Sequence, residues 1–238
     1  MQYLLRNKII LILLVAMCPL AAFTQYRELN MPSHSDKPIH FGINVGANRA
    51  HYNFTRHPLF LQRDSILVIE SINSTGINLA WMVNFRLGEH FDFRTYPLNL
   101  IFTEKAFQYN LKYPSKLLKE DSVTIKKVQG ITLALPLQLK FTSDRINNLR
   151  VYMMGGGKIE YDLAAGKKKE SIIRLNKFDY GIEAGMGFHF YFPVFVLTPE
   201  IKVGWGFANL HSRDETVKFS NTIDKINSRT ITFSLTVE

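Results

Sequence analysis

Cysteine is nearly absent from this chain of 238 residues, which contains only Cys18. A single thiol cannot form an intramolecular disulfide, and it cannot by itself supply a thiolate metal site. Because Cys18 lies in an N-terminal segment that we expect to be removed, the mature chain would also lack a cysteine nucleophile. A chain without thiols suits passage through an oxidising compartment in the unfolded state.

Long hydrophobic runs are also missing. The apolar stretch Ile9–Met17 is much shorter than the roughly 20 residues that a transmembrane helix needs. It follows the basic residues Arg6 and Lys8 and precedes a stretch of small residues, which is the pattern of an export signal. We predict cleavage between Thr24 and Gln25.

A lipoprotein signal that uses Cys18 is the alternative for this segment. The residues before Cys18 have some likeness to the sequence that such signals carry. Met17, however, is bulky where a lipoprotein signal has Gly, Ala or Ser. We therefore favour the export signal that is cleaved after Thr24.

Acidic residues are outnumbered, with 20 Asp and Glu against 29 Lys and Arg and a net charge of +9. Removal of Arg6 and Lys8 leaves about +7 on a mature chain of about 214 residues, the size of one domain. Basic loops, such as Lys167–Lys169, account for such a charge, and a basic exterior could also bind lipopolysaccharide phosphates or an acidic protein. There is no nucleic-acid-binding motif, and export argues against a nucleic-acid partner.

The chain does contain eight stretches in which apolar and polar residues alternate at every second position. This period indicates half-buried β-strands and excludes helices of the same composition. The stretches are 41–48, 77–87, 91–104, 131–141, 150–161, 180–190, 195–207 and 230–237. In the third, the apolar face changes near Pro97, where a residue without an N–H predicts a β-bulge.

The gaps between these stretches alternate strictly between long and short. The long gaps are 53–75, 105–127, 162–176 and 209–228, and the short ones are 88–90, 142–148 and 191–194. This rhythm predicts an all-β fold, an eight-stranded antiparallel up-and-down transmembrane β-barrel of the outer-membrane type. The N-terminus and the short turns would then be periplasmic and the long loops extracellular. The expected organisation is a signal peptide at 1–24, a periplasmic tail at 25–39 and the barrel at 40–238.

Aromatic residues support a membrane location, because they gather in two bands of the kind that membrane–water interfaces select. Near the short turns lie Phe85, Phe91, Phe93, Phe141, Phe188, Phe190, Tyr191, Phe192 and Phe195, and near the opposite rim lie Phe178, Tyr180, Trp205 and Phe207. The competing architecture is a soluble lipocalin-like barrel with its apolar face around a ligand. Its outer face would be rich in Lys and Glu, whereas the non-apolar face here is largely Gly, Asn, Thr, Ala and Ser. We therefore expect lipid outside the barrel and infer no small-molecule substrate.

Charged and titratable side chains fall on the predicted inner face at Lys140, Lys158, Glu160, Glu183, His189, Glu200 and Lys202. They could form a proton relay, or a plug in which opposite charges offset one another's desolvation. We favour the plug. The turn at 191–194 should pair residues whose numbers sum to about 384, which would bring Glu183 close to Glu200. Two adjacent carboxylates could serve acid–base chemistry, but Lys202 beside them favours a structural cluster.

We find no catalytic or metal-binding constellation in the sequence. The histidines are scattered, and no pair has ligand spacing backed by a carboxylate, so we expect no metal and no cofactor. Ser212 beside His211 is mere adjacency in a predicted loop, so an enzyme is not expected. The run Gly155-Gly156-Gly157 precedes no helix and is not a phosphate loop. We interpret it as room for bulky side chains in the lumen.

Between Phe91 and Asn209, about half of the mature chain, a series of short motifs occurs in a characteristic order. They are Phe91-Asp92-Phe93-Arg94 with Pro97-Leu98; Leu135-Pro136-Leu137-Gln138-Leu139-Lys140 with Ser143, Arg145 and Asn148; Tyr152 with Gly155-Gly156-Gly157 and Tyr161-Asp162-Leu163-Ala164; and Asp179-Tyr180-Gly181, Glu183, Gly185, Pro199-Glu200 and Lys202. In this region the sequence resembles the PorT family, outer-membrane barrel components of the type IX secretion system. The first strand and the long loops show no such match, and the chain ends in Val237-Glu238 without the aromatic residue common in barrel insertion signals.

The resemblance implies a role in exporting proteins across the outer membrane, with other secretion-system proteins as partners and outer-membrane lipids around the barrel. It does not imply that the barrel is the conduit, since eight strands leave an interior just wide enough for side chains. The alternative is a generic small barrel that stabilises the envelope or binds surface ligands through its loops.

Overall fold

The structure is a computed structural model that describes residues 28–56, 66–72, 74–111, 123–164, 174–212 and 223–238. A short 3-10 turn, His34–Asp36, precedes the first strand. The described strands are β1 (Ile39–Arg56), β2 (Ile66–Ile72), β3 (Ser74–Arg86), β4 (Phe91–Leu111), β5 (Val123–Thr142), β6 (Leu149–Asp162), β7 (Arg174–Leu175), β8 (Phe178–Tyr191), β9 (Val196–Gly206), β10 (His211–Ser212) and β11 (Ile223–Val237). Within these ranges, no helix is both long and apolar enough to cross a membrane.

The strands close into a barrel through antiparallel pairs alone. Starting at β1, the ring runs β1-β3-β4-β5-β6-β8-β9-β11 and returns to β1. β2 pairs with the outer half of β4 and thus prolongs β3, so the barrel wall has eight strands. β7 and β10 form a separate two-residue ladder. The predicted eight-stranded up-and-down barrel is confirmed.

Apolar side chains cover the outside of the barrel, and polar ones fill the inside. Ile43 and Phe233 are 61% and 55% exposed, whereas their polar neighbours Asn44 and Ser234 are fully buried. The same alternation holds in β5, where Leu135 points outward and Gln138 inward. An apolar exterior of this kind needs lipid around it. The predicted faces are confirmed, and the lipocalin-like alternative is excluded.

β4 contains the predicted bulge. Two of its residues, Tyr96 and Pro97, lie opposite the single residue Met82 of β3. The ladder between β4 and β5 is interrupted over the same stretch. Proline has no N–H to donate to a ladder. Tyr96 continues the inward-facing positions of Asp92 and Arg94 and packs on Met82 in the lumen, and beyond the bulge the odd-numbered positions face inward.

The strands are longer than predicted at the end of the barrel opposite the short turns. β4 and β5 remain paired out to Asn110 and Val123, well inside the predicted gap 105–127. β2 and the ends of β1 and β11 likewise occupy parts of the gaps 53–75 and 209–228. Those gap boundaries were wrong. A hairpin that extends beyond the apolar band has water on both faces, so its sequence needs no alternation of apolar and polar residues, and the alternation cannot show where it ends. The predicted signal peptide, its cleavage site at Thr24 and Gln25, and Lys167–Lys169 lie outside the described residues.

Candidate functional site

A buried network centred on Glu200 of β9 fills the middle of the lumen. The guanidinium of Arg94 and the hydroxyl of Tyr152 both donate to Glu200 Oε1, the latter at 2.5 Å. The second oxygen, Oε2, accepts from the Tyr96 hydroxyl at 3.2 Å and lies 3.1 Å from the Lys202 ammonium. Arg94 and Glu200 are 0% and 1% exposed. The carboxylate is therefore surrounded by donors, as a charge in a dry interior must be.

Aromatic rings provide a second partner for the cations of this network. The Lys202 ammonium lies 4.6 Å from the centroid of the Tyr96 ring. The Tyr152 ring lies between two cations, with the Arg94 guanidinium carbon at 5.2 Å and the Lys140 ammonium at 5.1 Å from its centroid. Such placements stabilise a desolvated cation electrostatically. Tyr152 consequently joins the central network to the cluster below it.

That cluster lies toward the short turns and is built on Lys140 of β5. Its ammonium is 2.8 Å from a carboxylate oxygen of Asp92 and 3.2 Å from Nε2 of His189. Because an ammonium only donates, Nε2 of His189 accepts, and Nδ1 is left to donate to the Thr198 hydroxyl at 2.8 Å. The imidazole is thus neutral and held in one tautomer.

Glu183 and Glu200 have separate partners, contrary to the predicted carboxylate pair. Glu200 pairs across the ladder with Gly187, and Glu183 pairs with Gly204. This register is displaced by three residues from the predicted one because the last pair before the turn is Tyr191 with Val196. Glu183 accepts a hydrogen bond from the Gln138 amide at 2.5 Å. The hypothesis that Glu183 and Glu200 form an adjacent carboxylate pair for acid–base chemistry is therefore wrong.

Nearer the long hairpins, Lys158 lies 2.5 Å from Glu160. Lys158 is 4% exposed, so this pair also neutralises a desolvated cation. The structure thus brings every predicted lumen charge inside the barrel, in salt-bridged or hydrogen-bonded groups.

Sequence reasoning missed several interior charges, namely Asp92, Arg94, Asp179 and Glu238. Alternation could have found them. Phe91 and Phe93 point outward, so the even-numbered positions between and after them point inward. Asp179 and Glu238 likewise continue the inward-facing positions of β8 and β11.

The interpretation of the glycine run was also wrong. Gly155 and Gly157 lie on the outward-facing positions, and an added Cβ at Gly156 would overlap the backbone carbonyl of Leu137 rather than a side chain. A glycine that does make room for a bulky lumen side chain is Gly187, where a Cβ would overlap the Tyr152 ring.

Residues 28–38 fold across the mouth of the barrel at the short-turn end. Arg145, in the turn between β5 and β6, donates to the backbone carbonyls of Asn30 and Met31, the latter at 3.4 Å. Its guanidinium also stacks 3.8 Å from the centroid of Tyr191. Tyr191 was predicted in the outer aromatic band but is buried beneath this segment.

Asn148 and the end of β3 complete the docking of this segment. The Asn148 side chain accepts the Asn30 N–H at 2.9 Å and donates to the Glu28 carbonyl at 3.0 Å. Asp36 pairs with Arg86 at 3.2 Å. Residues 28–38 therefore form a cap on the barrel, which we call the N-terminal cap.

Within the cap, His34 packs against the barrel. Its ring lies 4.5 Å from that of His40 and 6.1 Å from that of Tyr191. Burial, together with the neighbouring charges of His40 and Lys37, lowers the pKa of His34 to about 4. Its imidazole is therefore neutral at physiological pH.

The other motif positions have local structural roles. Ser143 accepts the Val151 N–H at 3.1 Å and so closes its turn. The Pro136 carbonyl accepts from Thr95 at 2.9 Å, and Asp162 accepts the Ala164 N–H at 2.8 Å where β6 ends. Pro97 forms the bulge, and Gly155 lies on the outer face.

Comparison with known proteins agrees with this architecture. Residues 23–212 match the family described as outer membrane protein beta-barrel domain. A search among curated proteins finds no match.

Solved structures that are similar include Neisserial surface protein A (9% identity, 84% of this chain and 99% of that chain, TM-score 0.42). Another is Ail, the attachment invasion locus protein of Yersinia pestis, in complex with the heparin analogue sucrose octasulfate (9% identity, 83% of this chain and 96% of that chain, TM-score 0.37). A third is the outer membrane protease OmpT from Escherichia coli (10% identity, 84% of this chain and 96% of that chain, TM-score 0.41). Likeness at this level carries no argument about what this chain binds or does. The family match over most of the chain, on a closed barrel with an apolar exterior, shows that the protein belongs to the outer membrane protein beta-barrel domain family and resides in the outer membrane.

Proposed function

We propose that this barrel is a non-enzymatic component of a type IX protein secretion system and acts as a scaffold or anchor rather than as the conduit. The observation that carries the scaffold role is the filled lumen. Arg94, Glu200 and Tyr152 bridge strands on opposite parts of the wall and are almost completely buried. A polypeptide could pass only if this network were dismantled, which would leave several charges desolvated and unpaired.

The secretion role rests on the resemblance to the PorT family, and the positions of the shared residues support it. Arg94 and Tyr152 belong to the central network, whereas Arg145 and Asn148 hold the N-terminal cap. Residues that merely maintain alternation would be common to any such barrel. These four instead define the particular interior and mouth of this one.

In this proposal the short turns and the cap face the periplasm, and the extended β4–β5 hairpin, with β2 paired to it, faces the exterior. Short periplasmic turns and longer extracellular loops are the usual arrangement in such barrels. Partner proteins of the secretion system would then bind either the hairpins outside or the cap inside. An enzyme would require a nucleophile and a base at one rim, and the interior groups described above are instead engaged with one another.

Deletion of the gene tests the secretion role. We expect type IX cargo to accumulate in the periplasm while general permeability of the outer membrane is nearly unchanged, and expression of the intact gene should restore export. Cargo would be measured by immunoblotting of periplasmic and culture fractions. Normal cargo release from the deletion strain would overturn the proposal and leave a generic envelope barrel, the alternative that the fold fits equally well.

A further inference from the structure

Two histidines and a carboxylate converge at the short-turn mouth of the barrel. Ring nitrogens of His34 and His40 and a carboxylate oxygen of Glu238 all lie within 4.8 Å of one another. Imidazole and carboxylate are common protein ligands of zinc, and two histidines with one carboxylate is a recurrent set for a first-row transition metal. We refer to these three residues as the mouth triad.

Strand register brings His40 and Glu238 together. β1 pairs with β11 so that Gly42 lies across from the position of Glu238, one residue beyond Ile43 and Val237. His40 is two residues from Gly42 on the same face and is therefore a diagonal neighbour of Glu238. Gly42 leaves room for the glutamate, because a Cβ there would lie 3.1 Å from Glu238 Cγ.

The N-terminal cap supplies the third member. A turn that is closed by a hydrogen bond from the His34 N–H to the Met31 carbonyl at 3.1 Å leads into the 3-10 turn. It turns the His34 ring onto that of His40, with 4.5 Å between their centroids. The triad is thus assembled only when the cap is docked.

The carboxylate of Glu238 gives an independent indication of a ligand site. Its side chain is 5% exposed, yet its buried Oε1 accepts no hydrogen bond. The nearest cationic nitrogen is Nη2 of Arg94 at 3.7 Å, and Nδ1 of His189 is 4.0 Å away. Both distances exceed that of a hydrogen bond, and a buried carboxylate oxygen without a partner is costly.

Other charges around the mouth are largely compensated. The Lys140 ammonium is paired with Asp92 at 2.8 Å, and Arg86 is paired with Asp36 at 3.2 Å. Arg150, which lines the same pocket, donates to the backbone carbonyls of Ser143 at 2.9 Å and Glu89 at 3.4 Å. Two of the cations near the mouth triad, Lys140 and Arg86, are therefore already paired with carboxylates.

We propose that the mouth triad binds a divalent transition-metal ion of the Zn²⁺ class. His34, His40 and Glu238 supply three ligands, and water completes a tetrahedral set. The bound ion ties the N-terminal cap to β1 and the end of β11. It adds a ligand bond to the buried carboxylate of Glu238 and fixes the cap over the lumen.

Calorimetric titration of the purified, untagged full-length protein in detergent micelles with zinc chloride tests this site. We expect one ion per chain and at least about a tenfold loss of affinity in His34→Ala, His40→Ala and Glu238→Gln. His90→Ala is the matched control, because His90 lies in a short turn at the same end and instead contacts the Thr142 carbonyl. It should bind zinc as the wild type does.

Hydrogen exchange supplies a readout that does not depend on affinity. Zinc should slow exchange of the Asp36 and Lys37 amides in the wild type and in His90→Ala, but not in His34→Ala. A melting curve for each variant separates loss of a ligand from loss of folding. Absence of zinc binding, or binding that none of the triad substitutions weakens in folded protein, would overturn the proposal.

Discussion

At the scale of single residues, buried ion pairs stabilise the packed interior of the barrel, and removing one partner of such a pair is strongly destabilising. Arg94 and Glu200 are both fully desolvated and form a direct ion pair. Removal of one leaves the other buried without its directly hydrogen-bonded counter-charge, which costs more than the pair itself contributes.

We expect Glu200→Gln to lower the free energy of unfolding by about 3–5 kcal/mol, because the Arg94 and Lys202 cations lose their carboxylate. Urea unfolding in lipid vesicles would measure this loss. Glu183→Gln is the control, since Glu183 accepts its hydrogen bond from the neutral amide of Gln138, and its loss should be clearly smaller. Equal losses in both variants would contradict the central position of Glu200.

Gly187 is required for the Tyr152 ring to lie in the lumen. Gly187→Ala places a methyl group onto that ring, so we expect about 1–3 kcal/mol of destabilisation from overpacking. Gly155→Ala is the matched control, because its nearest neighbour would be the Glu183 carbonyl at an ordinary 3.9 Å. The same unfolding assay applies, and a harmless Gly187→Ala would show that Tyr152 has room to move.

The identity of the interior residues could be predicted from the sequence, and their pairing could not. Alternation alone indicates that Lys140, Glu183 and Glu200 point inward. It does not say that Glu183 lies across from Gly204 rather than beside Glu200, since that depends on the register across the β8–β9 turn. That register is set by the conformation of four turn residues, on which a two-residue period has no bearing.

At the scale of elements, the strands follow the hydrophobic pattern where lipid imposes it and depart from it elsewhere. The bulge at Pro97 was predictable, because it changes which residues face lipid. The extension of β4 and β5 to Asn110 and Val123 was not, because outside the apolar band both faces of a hairpin are wet. Docking of the N-terminal cap could not be predicted from the sequence either. Arg145 binds backbone carbonyls in the cap, and every residue has such a carbonyl, so the contact requires no particular residue type.

The two faces of β5 should respond oppositely to a lysine. Leu135→Lys places a charge toward lipid and should cost roughly 2–4 kcal/mol in the free energy of folding into a bilayer. Thr132→Lys should cost less, since Thr132 points inward and lines a pocket with Glu160, Asp162 and Asp179. Folding efficiency into vesicles would measure both, and a harmless Leu135→Lys with an unfolded Thr132→Lys would invert the assignment.

Arg145 should govern the docking of the N-terminal cap. Arg145→Ala removes the donors to the Asn30 and Met31 carbonyls and the stack on Tyr191. We expect faster hydrogen exchange in residues 30–38 with the strand amides unchanged, measured by mass spectrometry. Asp144→Ala, an exposed neighbour in the same turn, should leave exchange as in the wild type. Equal exchange in both variants would mean that the cap is held by other contacts.

At the scale of the whole molecule, the order of long and short gaps was enough to predict a closed outer-membrane barrel. Cysteine scarcity, aromatic bands and alternation all agree with it, because lipid and an oxidising compartment act on the entire chain. Function was less predictable, since partner binding depends on surfaces that lipid does not constrain. The filled interior favours a scaffold over a conduit as the proposed function, because a conduit needs an open lumen.

The conductance of the purified protein in a planar lipid bilayer tests this separation most directly. The Glu200-centred network and the capped mouth predict no unitary current above the leak of the lipid itself. Protein that is shown to be folded and inserted should remain silent over the full range of applied voltage. Stable unitary currents from the wild-type barrel would mean that the lumen is open, and they would contradict the account.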